Sequence, residues 1–290
     1  MSTRESEVTP IVSIMENGHK KNLDELKSKF AKYSAGSVKL IKDEEKGIAF
    51  IKLDNPSRKN ALSGSMMIDL YNIVDDLEKW DKGKGIILYG ADGFFSSGGD
   101  MNTVKEIDNC DDGRDMGILM YDTLQRFQAL PMISVALVEG KAIGGGAELT
   151  TACDFRLMSK SAKIGFVHIK LGITVSWGGG TRLVQIIGSH KALEIISSGR
   201  QLTALESLSI GLCTHVIEET TDKSNLDYTT EWLSDHIDGP RETINALKTI
   251  IHSARTLPFK ESLKRELETF PKVWGSPPHK KALSMNIKLR

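Results

Sequence analysis

Three consecutive glycines at residues 144–146 precede a lone acid, Glu148, in the stretch "AIGGGAELTTACDF". Each glycine weakens a helix or strand by about 0.5–1 kcal/mol relative to alanine, so a triplet needs a reason. Where a strand ends and a helix begins, the first N–H groups lack intrahelical partners, and a ligand oxygen can approach them because no Cβ intervenes. The triplet therefore fits an anion or oxyanion site, and it also fits tight packing of a helix against a strand.

A second glycine-rich stretch, "FFSSGGD" at residues 94–100, follows the strand pattern "GIILYG" at residues 85–90. The triplet follows the strand pattern "MISVALV" at residues 132–138 in the same way. We predict that each of these strands ends in a glycine-rich turn and that the two turns lie side by side. Two N–H groups directed at one oxygen stabilise a thioester or acyl oxyanion, and one such donor contributes about 3–4 kcal/mol.

The elements that must position these turns alternate between strand and helix. Buried strands are predicted at residues 48–53, 85–90, 132–138 and 154–159. Helices are predicted from the spacing of Met67, Leu70, Val74 and Leu77, and over residues 115–130, which Pro131 ends. This alternation predicts an α/β core whose sheet is largely buried.

We divide the chain into a polar N-terminal segment with one helix, an α/β core domain and a helical C-terminal region, at residues 1–36, 37–224 and 225–290. Residues 1–19 show no periodicity, and we predict that they are disordered. Leu23, Leu26 and Phe30 share one face of a helix within residues 19–33. In the C-terminal region three helical patterns follow one another without a strand, which suits packing on the core or on a neighbouring subunit.

Composition narrows the class of protein. The 290 residues are 40% apolar and 26% charged, with 38 basic and 38 acidic side chains, so no net charge attracts nucleic acid or an anionic membrane. The apolar runs are too short to span a bilayer. Cys110, Cys153 and Cys213 show neither disulfide-framework nor metal-ligand spacing. Because the N-terminus also carries no apolar signal segment, we predict a cytoplasmic protein that is located in the cytosol.

Four motifs resemble, in order and spacing, the signatures of the crotonase superfamily, the enoyl-CoA hydratase/isomerase proteins. They are "NPSRKNALS" (55–63), "FSSGGD" (95–100), "GGGAELTTACD" (144–154) and "SWGGGTRL" (176–183). The resemblance covers roughly residues 38–290. It implies a crotonase fold, a spiral of ββα repeats with a C-terminal helical trimerisation region. It further implies acyl-CoA substrates, a homotrimer or dimer of trimers, and no metal or other cofactor.

The same resemblance implies roles for individual residues. The oxyanion donors would be the backbone N–H groups of Gly99 and Gly145, and the catalytic side chains would be Glu148 and His168. The residues that would bind the CoA thioester are Arg58, Ala61, Ser97, Gly98, Asp100, Gly144 and Trp177. For Asp100 a turn-capping role is the default expectation. Basic candidates for the CoA phosphates are Arg58, Lys59, Lys280 and Lys281, which equally fit solvated surface charge.

Glu148 and His168 each allow a catalytic and a structural interpretation. Glu148 can be one of the catalytic carboxylates of the superfamily, or an acid that compensates the dipole in the first turn of its own helix for under about 1 kcal/mol. His168 can be a proton donor or a buried histidine whose hydrogen bonds are satisfied within the core.

The absence of a second acidic residue distinguishes hydration from decarboxylation. Hydratases of the superfamily orient water with two glutamates, and the second lies in a segment that here reads "FVHIKLGI" (166–173). No Asp or Glu occurs between Phe155 and Leu193. Decarboxylation of a malonyl-type thioester needs no base, only a stabilised enolate and a proton donor, which would be Glu148 or His168. An apolar wall, for which Val175 and Trp177 are the candidates, would disfavour the leaving carboxylate.

The leading hypothesis is a carboxy-lyase. Resemblance in "GGGAELTTACDFRLM" and "FVHIKLGITVSWGG" implies decarboxylation of ethylmalonyl-CoA, and less well of methylmalonyl-CoA, as metabolite repair in fatty acid metabolism. One alternative is another crotonase-type isomerase, hydratase or hydrolase that uses Glu148 alone. The other alternative is a non-catalytic oligomer that binds acyl-CoA.

Overall fold

The computed structural model describes residues 23–218 and 223–285. The predicted disorder of residues 1–19 lies outside these ranges. The strands are β1 (Ser37–Asp43), β2 (Ile48–Asp54), β3 (Gly85–Gly90), β4 (Ile133–Val138), β5 (Lys141–Ile143), β6 (Phe155–Ser159), β7 (Lys163–Gly165), β8 (Gln201–Thr203) and β9 (His215–Ile217). Together they form two sheets, which meet at the glycine-rich turns.

The larger sheet has the strand order β1-β2-β3-β4-β6-β9. Strand β1 pairs antiparallel with β2, and the remaining pairs in this sheet are parallel. The smaller sheet has the order β5-β7-β8, with β5 and β7 parallel. Parallel pairing places the ends of β3 and β4 at the same edge, which is where a ligand site forms in such sheets.

The α-helices are α1 (Leu23–Phe30), α2 (Gly64–Glu78), α3 (Met101–Glu106), α4 (Cys110–Ala129), α5 (Gly145–Ala152), α6 (Gly179–Ile187), α7 (Ser189–Ser198), α8 (Ala204–Ser209), α9 (Asn225–His236), α10 (Arg241–Thr256), α11 (Phe259–Thr269) and α12 (Pro277–Ser284). Within the described ranges no helix is both long and apolar enough to cross a membrane.

Both faces of the larger sheet are buried. On β3, Ile86 and Leu88 face the main core with α2 and α4, whereas Ile87 faces a second cluster with Leu233 and Ile237 at the end of α9. Strands buried on both faces have continuous apolar runs instead of alternation. This explains why "GIILYG" and "ISVALV" are apolar at almost every position.

The strongly patterned elements form as predicted. Helix α2 buries the four apolar residues whose spacing predicted it, Met67, Leu70, Val74 and Leu77. Helix α4 covers the predicted residues 115–129 but begins earlier, at Cys110, because the Asn109 side chain accepts a hydrogen bond from the N–H of Asp112 and caps it. Helix α1 ends at Phe30, before the end of the predicted range 19–33, and it buries Leu26 and Phe30; residues 19–22 of that range lie outside the described residues.

The end of the described chain is helical, as predicted. Strand β9 is the last strand within the described residues, and α10 and α11 each begin directly after a proline, Pro240 and Pro258. A further short helix, α12, was not predicted. Large apolar side chains of α10 to α12 and the turn between them are exposed, namely Leu247, Ile251, Phe259, Leu263, Leu267, Phe270, Trp274 and Leu283.

Candidate active site

The two glycine-rich turns lie against each other. Ser96 pairs with β5, donating its N–H to the Lys141 carbonyl at 3.0 Å and accepting from the Ile143 N–H at 2.9 Å. A Cβ atom placed on Gly98 would lie 3.1 Å from the backbone nitrogen of Gly145. The prediction that the turns are neighbours is therefore confirmed.

The strand that leads into the triplet is β5, so the prediction that the "MISVALV" strand ends in it is wrong. After β4 the chain turns at Gly140, whose φ of 57° is left-handed and where a Cβ would lie 2.7 Å from the Gly93 carbonyl oxygen. This turn moves the chain from the larger sheet into the smaller one. The three residues of β5 then run directly into Gly144 and helix α5.

Two backbone N–H groups at these turns are left without partners in the described structure. Leu62 donates its N–H to the Gly98 carbonyl at 2.7 Å and accepts from the Asp100 N–H at 2.8 Å, so the N–H of Gly99 between them takes no part. Gly145 is the first residue of α5, and its N–H has no intrahelical acceptor. Both residues line one cavity. The cavity therefore has the two unpartnered backbone donors that an oxyanion site needs.

Each glycine of the triplet is required for a different reason. Gly144 has a φ of 56°, in the left-handed region. A Cβ on Gly145 would lie 2.5 Å from the Trp177 ring, and a Cβ on Gly146 would lie 2.5 Å from the Ser96 carbonyl oxygen. Tight packing therefore explains part of the triplet, and it coexists with the free N–H of Gly145.

One cavity of about 450 Å³ is lined by all the residues predicted to be catalytic or to bind the CoA thioester, whereas the candidates Lys59, Lys280 and Lys281 for the CoA phosphates do not line it. The predicted residues that line it are Arg58, Ala61, Ser97, Gly98, Gly99, Asp100, Gly144, Gly145, Glu148, His168 and Trp177. Residues that sequence reasoning missed also line it, namely Met101, Asn102, Val104, Met116, Val167, Leu171, Ile173 and Ser176. The motifs of four separate segments therefore converge, as the resemblance implied.

The apolar wall of the cavity differs from the predicted one. Trp177 lines the cavity and is buried, but Val175 is not among the lining residues and packs against the main core. Met116 on α4, with Leu171 and Ile173, adds apolar surface beside that of Met101, Val104 and Val167. No sequence signal pointed to Met116, Leu171 or Ile173, since the latter two lie in a loop without periodicity.

Glu148 is fixed by hydrogen bonds to a second helix. Its side chain is 1% exposed, and Oε2 accepts the N–H groups of Trp177 and Gly179, both at 2.9 Å. Gly179 is the first residue of α6, so the carboxylate satisfies orphan donors at the N-terminus of α6. The acid is therefore more than a dipole partner of its own helix.

His168 forms a pair with Glu148. Its Nε2 atom lies 3.0 Å from Oε1 of Glu148, and its side chain is 8% exposed. The other ring nitrogen, Nδ1, is buried and has no hydrogen-bond partner among the described residues. A core histidine with satisfied hydrogen bonds would not leave a buried ring nitrogen without a partner. The geometry therefore favours a functional histidine.

Asp100 has the capping role that was its default expectation. Its Oδ1 accepts the N–H groups of Asn102 and Thr103 at the start of α3, and Oδ2 accepts a hydrogen bond from Arg58 at 2.8 Å. Burial by itself raises the pKa of Asp100, but hydrogen bonds from Arg58, Thr103 and Asn102 outweigh it and hold this pKa below its ordinary value. The carboxylate therefore stays ionised and is unsuited to donate a proton.

Only two carboxylates, Asp100 and Glu148, are among the described residues that line the cavity. Because Asp100 is occupied by the cap and by Arg58, the cavity lacks a second free acid. His168 is the side chain that contacts Glu148 instead. The predicted loss of a carboxylate pair is thus accompanied by an acid–histidine pair.

Comparison with known proteins connects this geometry to a family. The family model "Enoyl-CoA hydratase/isomerase" matches residues 43–287. The chain belongs to the enoyl-CoA hydratase/isomerase family. The resemblance inferred from the four motifs is confirmed, and so is the predicted α/β crotonase fold.

Two similar proteins are named ethylmalonyl-CoA decarboxylase, whereas a similar solved structure is named enoyl-CoA hydratase. The ethylmalonyl-CoA decarboxylase of Homo sapiens is 45% identical over 273 residues, which cover 94% of this chain and 89% of that protein. The ethylmalonyl-CoA decarboxylase of Xenopus laevis is 42% identical over 277 residues, covering 96% and 92%. The enoyl-CoA hydratase structure from Thermoplasma volcanium GSS1 superposes with a TM-score of 0.78 at 25% identity, covering 88% of this chain and 98% of that one.

Proposed function

We propose that this protein decarboxylates ethylmalonyl-CoA to butyryl-CoA, and less well methylmalonyl-CoA to propionyl-CoA, as metabolite repair in fatty acid metabolism. The observation that carries the proposal is the Glu148–His168 pair beside two unpartnered N–H groups, in a cavity without a second free carboxylate. Relatives named ethylmalonyl-CoA decarboxylase support the same reaction.

The first step places the thioester at the two glycine-rich turns. Its carbonyl oxygen accepts hydrogen bonds from the N–H groups of Gly99 and Gly145. When the bond between C2 and the carboxylate breaks, its electron pair forms the enolate and CO2 leaves. The negative charge moves to the thioester oxygen, where the two N–H groups stabilise it in a largely dry site.

The enolate then needs a proton at C2, and the geometry favours His168 as the donor. The oxygens of Glu148 already accept hydrogen bonds from Trp177 and Gly179 and contact the imidazole. We assign the proton to Nδ1–H of a doubly protonated His168, whose Nε2 lies 3.0 Å from Oε1 of Glu148. Glu148 acts as a positioning residue that orients the ring, in the way a buried acid orients a catalytic histidine.

The apolar lining supports release of CO2. Among the described residues that line the cavity, the cationic side chains are Arg58 and, when protonated, His168, and Arg58 is engaged by Asp100. The side chains of Met116, Leu171 and Ile173 have no N–H or O–H group with which to bind a carboxylate. A substrate carboxylate held there loses solvation, whereas neutral CO2 does not require it.

A panel of CoA thioesters followed by mass spectrometry tests the proposal. We expect butyryl-CoA from ethylmalonyl-CoA, and a slower conversion of methylmalonyl-CoA. A double-bond shift, free CoA or a hydrated product without CO2 release would identify another crotonase-type reaction instead. Tight binding of every thioester with no turnover would identify a non-catalytic acyl-CoA-binding protein.

Crotonyl-CoA is expected to be hydrated poorly. Hydration in this family uses a second carboxylate to orient water, and Asp100 is committed to its cap and to Arg58. The measurement is the loss of absorbance of the conjugated thioester with enzyme in excess. Turnover near about 10³ s⁻¹, the upper end of common kcat values, would show that another group replaces the second acid.

A homotrimer or a dimer of trimers is expected in solution. Helices α10 to α12 expose many large apolar side chains, and such a surface is typical of subunit packing. Light scattering at micromolar protein should give the mass of a trimer or hexamer. Leu267→Glu should dissociate the assembly, whereas Lys264→Glu, on an exposed position of the same helix, should not. A monodisperse, active monomer would contradict the proposal.

A further inference from the structure

Arg182 is a buried cation for which the proposed mechanism has no use. It is 6% exposed and forms no ion pair within 4.0 Å in the described part of the chain. Burial lowers the pKa of Arg182, and among the groups that oppose this shift the carboxylate of Glu148 is the strongest. A buried charge destabilises the fold by several kcal/mol unless it is compensated, so its position needs an explanation.

The hydrogen bonds of Arg182 connect the two segments that hold Glu148. Its Nη2 donates to the Trp177 carbonyl oxygen at 2.6 Å, and its Nε donates to Oγ1 of Thr151 at 3.1 Å. The Thr151 hydroxyl in turn donates to the Glu148 carbonyl oxygen at 2.6 Å. One planar guanidinium therefore joins helix α5, which carries Glu148, to the turn whose N–H groups bind its carboxylate.

The space around this turn shows how closely it is held. A Cβ atom on Gly178 would lie 2.7 Å from Nη1 of Arg182, and a Cβ on Gly179 would lie 2.7 Å from Oε2 of Glu148. The turn is thus packed between the guanidinium on one side and the carboxylate on the other.

We infer that Arg182 is a positioning residue for the Glu148–His168 pair. It holds the turn that donates to Glu148 and supplies the counter-charge of the carboxylate, while it does not line the substrate cavity. Its effect on turnover rests on the proposed function. Its effect on the contact between His168 Nε2 and Glu148 Oε1 does not, because that contact is present without substrate.

Arg156 provides a matched control. It is 4% exposed, and its guanidinium donates to the carbonyl oxygens of Leu212, Thr150, Cys153 and Asp154, none of them in the Trp177 turn. Arg182→Gln and Arg156→Gln therefore remove similarly buried cations that both bond to α5 or its C-cap, but only the first removes the contact with the turn whose N–H groups bind the Glu148 carboxylate. Arg182→Lys keeps the charge but lacks the planar guanidinium that lets Arg182 donate to Trp177 and Thr151 at the same time.

The test combines kinetics with proton NMR of the ligand-free protein. In Arg182→Gln we expect kcat for ethylmalonyl-CoA to fall by about 10–100-fold, as for other supporting hydrogen bonds, with KM nearly unchanged. The Nε2–H resonance of His168, which lies against Glu148 and is assigned by its loss in His168→Gln, should weaken or disappear. Arg182→Lys should recover part of both. Arg156→Gln should lower the unfolding temperature but keep the resonance and the kcat per folded molecule.

Thr151→Val offers a second route if Arg182→Gln does not fold. It removes the acceptor of Arg182 with little change of volume, and we expect a smaller change of the same kind. An unchanged His168 resonance in Arg182→Gln or Thr151→Val would overturn the inference, and so would its equal loss in Arg156→Gln. If the wild-type protein releases no CO2 from any thioester, the proposed function fails, while the resonance still decides the role of Arg182.

Discussion

His168→Gln is expected to lower kcat for ethylmalonyl-CoA by about 10²–10⁴, the range typical for loss of a general acid. Glutamine can still donate an N–H to Glu148, so the pocket keeps its shape, but it has no acidic proton to give to C2. The measurement is release of CO2 together with the mass of the acyl-CoA product. KM should change little, because His168 acts after the thioester is bound.

Two further variants make this result specific. His190→Gln, at an exposed position of α7, should be indistinguishable from wild type. Glu148→Gln should be slowed less than His168→Gln, since Glu148 orients the donor and is not the donor itself. In deuterated water the wild type should place deuterium at C2 with one stereochemistry, which His168→Gln should lose. If kcat falls little in His168→Gln and strongly in Glu148→Gln, Glu148 is the proton donor. If neither variant changes the rate or the stereochemistry of labelling, water supplies the proton.

The contact between Glu148 and His168 could not be derived from the sequence. The two residues are joined through β6, β7 and a 3₁₀ turn at His168–Leu171. Their 3.0 Å contact depends on how the smaller sheet packs against α5. The sequence placed each residue near the site but left open which one donates the proton. The proposal that His168 is the donor rests on the partners of Glu148 and on the unpartnered Nδ1 of His168.

The sequence predicted that the two glycine-rich turns are neighbours, but it did not predict the strand through which the chain reaches the second turn. Long apolar runs predicted β3 and β4, and their parallel pairing brings the following turns to one edge of the sheet. The three-residue strands β5, β7 and β8 are too short to show a period, so the smaller sheet was missed. Its absence from the prediction caused the wrong assignment of the strand before Gly144.

The position of Gly99 allows the oxyanion site to be tested with little disturbance. Any side chain on Gly145 would meet the Trp177 ring, so a loss of activity in a Gly145 variant would have two explanations. A Cβ on Gly99 would meet only Cγ2 of Val104, at the ordinary contact distance of 3.4 Å. The Gly99 N–H also makes no hydrogen bond within the described structure, so removing it breaks no bond of the fold.

We therefore expect Gly99→Ala to stay close to wild type and Gly99→Pro to lose about 10²–10³ in kcat, as when one oxyanion donor is removed. Both variants add a Cβ, but only proline removes the N–H. A proline restricts the backbone of the residue before it, and Gly98 has a left-handed φ of 97°, so Gly99→Pro can strain the turn. Circular dichroism and thermal unfolding must therefore show that the variant is folded. Binding of butyryl-CoA should be largely retained in both, because the donor acts mainly on the enolate. If Gly99→Ala is as inactive as Gly99→Pro, crowding of the cavity by the added Cβ explains the loss. If Gly99→Pro is folded and keeps full activity, the enolate oxygen does not bind at Gly99.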